Sequence, residues 1–360
     1  MPQHLFVDIS SHGFGHLAQT APVLNALRLR QPDLQLTIRC GLPRARLSQR
    51  IDGRFAHIPE ASDFGLSMHN ALDVDVADSL ARYQAFHANW EIRLQAYAQQ
   101  ITQFKPHLVL ANISYLALAA ARQVQIPALA LCSLNWLDIF FPYASAAPSL
   151  SSIHTHMLDA YNSATAFLRL TPGMLMPQIQ RLTEIGPIAR GGAANSRQLR
   201  VLLGLAPTTR LILVSMGGIP MRLPDSWPML PGIQWMVPRA AALPRDDMIA
   251  LECIDMAFSD VLASCDCIFT KSAYGAFVEA TVCGTPVLYV ERPDWPEEPC
   301  LTAWLQQHNL AQGISRAQFE QGLFGPALRA LLLHPRPAPI APTGIDEAVN
   351  FLLRQLEQLR

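Results

Sequence analysis

Short β-type runs alternate with helical patterns twice over in this chain, and that alternation limits the fold more than any single motif does. In the first half the strand candidates are 4–9, 34–40, 107–111, 127–132 and 166–170, with helical periodicity at 17–30, 78–103 and 115–123. In the second half strands are expected at 210–215, 232–237, 248–253, 266–270 and 285–290, and helices open near Asp255, Ser272 and Pro299. Strands separated by helices pair in parallel, with the helices on both faces of the sheet. The fold class is therefore α/β, built from two similar doubly wound halves. A length of 360 residues agrees, since one core rarely grows that large.

The stretch Thr183-Glu184-Ile185-Gly186-Pro187-Ile188-Ala189-Arg190-Gly191-Gly192 breaks both periodicities and reads as a domain linker. The expected organisation is a first domain over 1–185, a linker over 186–195 and a second domain over 196–342, with a hinge that would form a cleft. Beyond the Pro-rich stretch 335–342, residues 343–360 form an amphipathic helix. Its apolar residues Ile345, Val349, Leu352, Leu356 and Leu359 must pack on something, and it is expected to cross back onto the first domain.

With 27 basic and 28 acidic residues, a net charge of −1 leaves no basic field for nucleic acid, which is excluded as a partner. Seven cysteines (Cys40, Cys132, Cys253, Cys265, Cys267, Cys283 and Cys300), odd in number and without C-x-x-C spacing, read as reduced thiols of a cytosolic protein. The chain enters the strand-like run His4–Ile9 without a basic or apolar leader, so no export signal is expected and a cytoplasmic location follows. The apolar stretch 126–147 contains Pro127, Asn135, Asp138 and Pro142, a polar load that a membrane span of about 20 apolar residues does not carry. It reads as a buried strand and an aromatic loop, with no transmembrane segment. The alternative is that Trp136, Phe140, Phe141 and Tyr143 make an exposed lip for a lipid-linked partner at the inner membrane face.

The segment Cys267 to Glu279, followed by Gly284-Thr285-Pro286 and the run to Val290, has the layout of a nucleotide site. An apolar strand stops at a small polar turn, and a helix opens there with Glu279 on its second turn. Backbone N–H groups at a helix N-terminus favour a diphosphate. Ser272, Ala273, Tyr274 and Gly275 offer those groups and one hydroxyl, although a plain helix cap would look the same. Lys271 could neutralise a diphosphate leaving group and make a divalent metal unnecessary; a solvated lysine is the other reading. Gly217 and Gly218, after the strand ending at Ser215, leave space for a sugar diphosphate against the backbone.

In the first half, His12 and His16 flank Gly13-Phe14-Gly15 directly after the first strand. A neutral imidazole suits removal of a proton from an attacking hydroxyl. The alternative, zinc held by H-x-x-x-H, needs a helix to align both rings and a third ligand, and the two glycines argue against it; no metal is assigned.

These segments resemble a GT-B glycosyltransferase. The second half is similar to the nucleotide-sugar domain of the N-acetylglucosaminyltransferase of the peptidoglycan lipid intermediate, through Ser215-Met216-Gly217-Gly218 and the span from Asp266 to Val290. A resemblance along nearly the whole chain is to the glycosyltransferase-like N-terminal domain of plant arabinokinases. It runs through Ser11-His12-Gly13-Phe14-Gly15-His16, Asn135-Trp136, Lys271 with Tyr274-Gly275 and Glu279, and Arg292-Pro293-Asp294 with Glu297-Glu298-Pro299. No kinase half accompanies it, so arabinose phosphorylation is not implied.

The resemblance implies two Rossmann-like domains facing a cleft and a metal-independent, inverting transfer from a nucleotide diphosphate sugar, UDP-type favoured, to an unidentified acceptor. No cofactor is required. Glu279 would bind the ribose, the main chain at Ile254 the base, and Asp294, Glu297 and Glu298 the sugar, with helix capping as the other role for the glutamates. His16 would be the base, with His12, Gly13, Phe14, Gly15, Asn135 and Trp136 on the acceptor side. The family's usual aspartate partner is replaced by Asn112, so Asp8 and Asp138 are considered as substitutes. Two other readings remain: a sugar-nucleotide hydrolase or epimerase on the same scaffold, and a non-catalytic sugar-nucleotide-binding protein.

Overall fold

Burial on both faces turns the apolar runs of the sequence into the central strands of two parallel sheets. The computed structural model describes residues 2–144, 150–219 and 221–359, and the chain divides into two units. The first comprises Met1–His69, Asp73–Ile188 and Thr343–Arg360, the second Asn70–Leu72 and Ala189–Pro342.

The first unit carries strands β1 (His4–Ile9), β2 (Gln35–Arg39), β3 (Ala56–Ile58), β4 (Leu108–Asn112), β5 (Ala128–Cys132), β6 (Ala166–Leu170) and β7 (Leu182–Ile185). They pair in parallel in the order β3-β2-β1-β4-β5-β6-β7. Every residue of β4 and β5 is buried, because helices cover both faces. The order reverses between β1 and β4, where Ile9 lies beside Asn112. Open α/β sheets bind ligands outside the strand C-termini at such a reversal.

The second unit repeats the plan with β8 (Arg210–Ser215), β9 (Ile233–Val237), β10 (Met248–Ala250), β11 (Cys267–Lys271), β12 (Val287–Val290) and β13 (Ala311–Ile314). Their order is β10-β9-β8-β11-β12-β13, all parallel. Here the reversal falls between β8 and β11, with Thr270 beside Ser215. One core gathers Trp227, Trp235, Phe269, Phe319 and Phe324, and it takes in Ala71 and Leu72 from early in the chain. The Pro-rich stretch is tied down by Arg336, whose guanidinium donates to the carbonyls of Gly284, Ala263, Cys265 and Cys283 and to the Thr285 hydroxyl.

The C-terminal helix Gly344–Gln358 packs on the helix Gly15–Arg30 of the first unit. Ala348, Val349, Leu352 and Leu356 are buried there, and Gln3 Nε2 donates to the Leu356 carbonyl at 2.5 Å. Its start is seated on the strip expected to be linker: Gly344 N–H donates to Pro187 O and Gly186 N–H to Glu347 Oε2, both at 3.0 Å. A Cβ at Gly186 would lie 1.9 Å from Thr343 Oγ1, so the contact depends on glycine.

Several expectations need correction. Thr183-Glu184-Ile185 belongs to β7 rather than to a linker. The helix expected over 78–103 is two, Val76–Ala88 and Trp90–Phe104, interrupted at Asn89, whose side chain donates back to Ala85 O. The strand expected over 248–253 ends at Ala250 in a short 3-10 turn. The aromatic loop is the helix Trp136–Ala144, and the rest of the apolar stretch, 145–147, lies outside the described residues. Of the four residues of the expected lip, Trp136 and Phe140 are buried, with Phe140 stacked on Tyr83 at 3.9 Å, while Phe141 and Tyr143 are half-buried. No helix of the described residues is long and apolar enough to cross a membrane.

Candidate functional site

In the first unit, the loop after β1 runs through Ser10, Ser11, His12 and Gly13 into the helix Gly15–Arg30. Gly13 has φ +77°, a left-handed turn that glycine adopts freely, and Phe14 at the helix start is exposed. The turn delivers His16 to the first helical turn, buried over the end of β4. There His16 Nδ1 lies 2.8 Å from Asn112 Oδ1. Asn112 Nδ2 donates to Gln19 Oε1 at 3.0 Å, and Gln19 Nε2 donates to Ser133 Oγ at 3.2 Å. Cys132 Sγ donates to Gln19 Oε1 at 3.3 Å.

The Asn112 side chain thus holds the His16 ring through Nδ1, and the role of each ring nitrogen follows the tautomer. Burial, opposed by the Asn112 hydrogen bond, pulls the imidazole down to about 4. The Trp136 ring meets both histidines edge to face, 5.6 Å from His16 and 5.2 Å from His12.

The substitutes considered for the missing aspartate do other work. Asp8 accepts from Ser62 Oγ at 2.6 Å and from the Tyr97 hydroxyl, with Arg39 at 4.0 Å. Asp138 and Asn135 form a reciprocal cap on the helix Trp136–Ala144: Asp138 N–H donates to Asn135 Oδ1 and Asn135 Nδ2 to Asp138 Oδ2, both at 2.8 Å. Asn135, expected on the acceptor side, is buried in this cap, and Trp136 lies against both histidines.

A carboxylate that the sequence reading missed stands beside them. Asp63, in the loop after β3, accepts from Ser10 Oγ at 2.6 Å and from Trp136 Nε1 at 3.1 Å. Desolvation, with the charge of Asp8 adding to it, pushes this carboxyl up to about 7. Gly65 lets the same loop lie against the rings, since a Cβ there would fall 2.6 Å from His12 Cγ and 2.8 Å from Trp136 Cη2. Nothing in the sequence announces Asp63. Gln19 was findable, because three residues after His16 is the same helix face.

In the second unit, Lys271 ends β11 with its stem against Gly217, where a Cβ would sit 3.5 Å from Lys271 Cε. Gly217 has φ +86°. The Ser215 carbonyl accepts from Thr270 Oγ1 at 2.6 Å, which locks the ends of β8 and β11 together. The helix Tyr274–Val282 opens at Ala273 without a side-chain cap or an acidic residue in its first turn. Its first i to i−4 bond runs from Phe277 to Ala273, so the Gly275 N–H precedes the ladder, available to an anion. Glu279 is buried one turn on. Desolvation, then the neighbouring charge of Arg292, pulls Lys271 down to about 7, while Glu297 acts in the opposite sense. Arg292 is buried, lies over the Trp295 ring at 4.3 Å and donates from Nε to Leu72 O at 3.3 Å.

Two residues expected on the donor side make structural bonds here. The Ser272 hydroxyl donates to Glu298 Oε2 at 2.9 Å and its N–H to Val290 O. Glu298 also accepts from the Arg292 N–H; it is buried and ties the loops after β11 and β12 together. Glu297 is buried too, 3.4 Å from Trp295 Nε1, whereas Asp294 is exposed. Ile254 follows β10 at the sheet edge, its N–H closing a turn on Leu251. Among the described residues no group of three or more His, Cys, Asp or Glu is placed to hold a metal ion.

Comparison with known proteins bears on the fold these sites share. CalG4, the calicheamicin glycosyltransferase, aligns with 100% of this chain and 95% of its own at TM-score 0.60 and 15% identity. A UDP-glucosyltransferase from Polygonum tinctorium aligns over 99% of both chains at TM-score 0.59 and 13% identity. The fold is that of the GT-B glycosyltransferases. A GT-B frame also relates the chain to a Listeria monocytogenes protein assigned as a UDP-N-acetylglucosamine 2-epimerase, at TM-score 0.60 and 15% identity over 99% of this chain and 96% of that one. By sequence the GT-B chain is 24% identical over 339 residues to L-arabinokinase of Arabidopsis thaliana, covering 91% of this chain and 32% of that protein. It thus spans about a third of the length of the curated relative it matches. No family model matches.

Proposed function

We propose that this protein is a glycosyltransferase that takes a sugar from a nucleotide diphosphate donor, UDP-type favoured, held by the second unit, and passes it to an acceptor held by the first. The observation that carries the reading is His16, seated at the strand reversal of the first sheet with its Nδ1 on Asn112. On the donor side, the N-terminus of the helix Tyr274–Val282 and the cations Lys271 and Arg292 favour a diphosphate leaving group without a metal ion. Glu279 takes the ribose hydroxyls. The acceptor oxygen bonds to the anomeric carbon as the carbon–oxygen bond to the diphosphate breaks, and the electron pair leaves with the nucleotide. A single displacement of this kind inverts the anomeric centre. The kinase activity of the arabinokinase relative is no part of this proposal.

The test is calorimetric binding of nucleoside diphosphates and their common sugar conjugates, with and without a chelator. Selective, chelator-insensitive binding that Glu279→Ala weakens by about tenfold or more supports the donor site, given the worth of a hydrogen bond to a charged group. No binding across the panel would sink the reading. A second reading, a sugar-nucleotide-binding protein without turnover, is favoured by Asn112, which supplies no charge to an imidazolium. Donor binding with no product over a broad acceptor panel would select it.

A further inference from the structure

We propose that the hairpin tip Asn70–Leu72 is a positioning element of the donor site: through the Leu72 carbonyl it holds the Arg292 guanidinium ready for a nucleoside diphosphate, and so sets the preference for a diphosphate over a monophosphate. The inference deepens the donor side of the proposed function and rests on that reading for the part Arg292 plays.

Residues 67–75 form a narrow hairpin. Met68 bridges Val74 in the antiparallel sense, His69 N–H donates to Asp73 O at 2.9 Å, and Asp75 N–H donates to Ser67 O at 2.8 Å. At the tip, Asn70 Oδ1 accepts from the Leu72 N–H at 2.8 Å, an Asx turn that fixes the backbone into Leu72. Asn70–Leu72 belong to the second unit, and Ala71 and Leu72 are buried in its core. That core also holds Met216 just past β8, Phe269 in β11 and Val290 at the end of β12. Leu72 is thus held at its N–H and its side chain, which aims its carbonyl. An apolar plug needs only the side chain. The bond from the carbonyl to a buried guanidinium is a second, separate contact.

Arg292 follows β12 closely, and the last residue of that strand, Val290, is the register partner of Lys271. Arg292 Nε donates to Leu72 O at 3.3 Å, and the guanidinium lies over the Trp295 ring at 4.3 Å. A carbonyl on one edge and an indole under one face fix the plane of the group. An arginine fixed in advance loses less rotamer freedom when it meets an anion. The charge of Arg292 is also felt at Lys271, where it adds to desolvation in lowering the ammonium while Glu297 opposes both. Two cations set this close after neighbouring strands repel one another, and a bound anion relieves that repulsion.

The division of labour then follows from the chemistry. The helix N-terminus at Gly275 and the Lys271 ammonium can together hold one phosphate. A second phosphate needs a further fixed set of donors, and a guanidinium offers paired N–H groups in a fork that matches phosphate oxygens. When the tip no longer holds Arg292, the loss falls on the diphosphate and spares the monophosphate.

The test is calorimetry of UDP and UMP on the full chain. In Asn70→Ala, UDP affinity should fall by about fivefold while UMP affinity holds, in line with the cost of ordering one long side chain. Asn70→Ser, whose hydroxyl accepts the same N–H more weakly, should regain part of the loss, and it carries the comparison if Asn70→Ala melts early. Arg292→Gln should cost about tenfold or more for UDP alone. In that background Asn70→Ala should add less than about twofold, because the group it positions is gone.

Equal losses for UDP and UMP, an unchanged UDP affinity in Asn70→Ala, or losses that add in the double variant would overturn the positioning role. If Arg292→Gln binds UDP as the wild type does, the inference falls while nucleotide binding itself stands. A wild-type chain that binds neither nucleotide sinks the donor reading, and this inference goes with it.

Discussion

Lys271 is the residue whose charge state the donor would change. Its ammonium is drawn down to about 7, so near neutrality part of the population is uncharged. A bound diphosphate favours the charged form, and donor binding should therefore take up a fraction of a proton above neutrality and weaken as pH rises. Calorimetry in two buffers of different ionisation enthalpy reads this directly. Identical heats in both would show that Lys271 does not meet the phosphates.

Asp63 makes a prediction of opposite character. Its folded-state value, about 7, stands above the 3.8 of an unfolded carboxyl. Within that window the folded chain holds a proton that the unfolded chain has released, so this group lowers stability as pH rises. Asp63→Asn removes the dependence. Its stability relative to wild type should climb by about 1.4 kcal/mol per pH unit across the window, measured by urea melts in a pH series. A constant offset would mean that Asp63 titrates normally.

Among elements, the loops after β11 and β12 are held by one side chain. Removing it in Glu298→Ala strands the Ser272 hydroxyl and the Arg292 N–H, at about 1–3 kcal/mol for each buried group. Glu298→Gln keeps an acceptor and should lose less; both are read by denaturant melts alongside nucleotide affinity. The central strands and their alternation with helices were legible because β4, β5 and β11 are apolar runs between turn signals. β3, β7 and β13 were not, since edge strands of three or four residues, AHI, LTEI and AQGI, carry neither apolar continuity nor a countable period. The site divides in the same way. His16 and Asn112 could be placed from the sequence, His16 just after β1 and Asn112 at the end of β4. Asp63 and Gly65 could not, because their role comes from a loop folding back over residues some fifty positions earlier, as in the bond from Ser10 to Asp63. The structural bonds of Asn135, Ser272 and Glu298 were not legible, because polar residues beside a site look alike in sequence whether they face a ligand or satisfy the backbone.

For the whole molecule, the helix Gly344–Gln358 closes the first unit, although it follows the second in sequence. A chain ending at Pro342 should lose cooperative melting of the first unit, because the face that covers Val349, Leu352 and Leu356 would be open to water. The second unit should keep its transition, followed through the buried pair Trp227 and Trp235. Unchanged melting of both would show the helix to be dispensable. The same chain path sets an order of events during synthesis. On the ribosome the second unit has all its residues once Pro342 has emerged, while the first, begun long before, still lacks its last helix. The half that starts first finishes last, and for that interval its bare apolar groove is the surface a nascent-chain chaperone would meet.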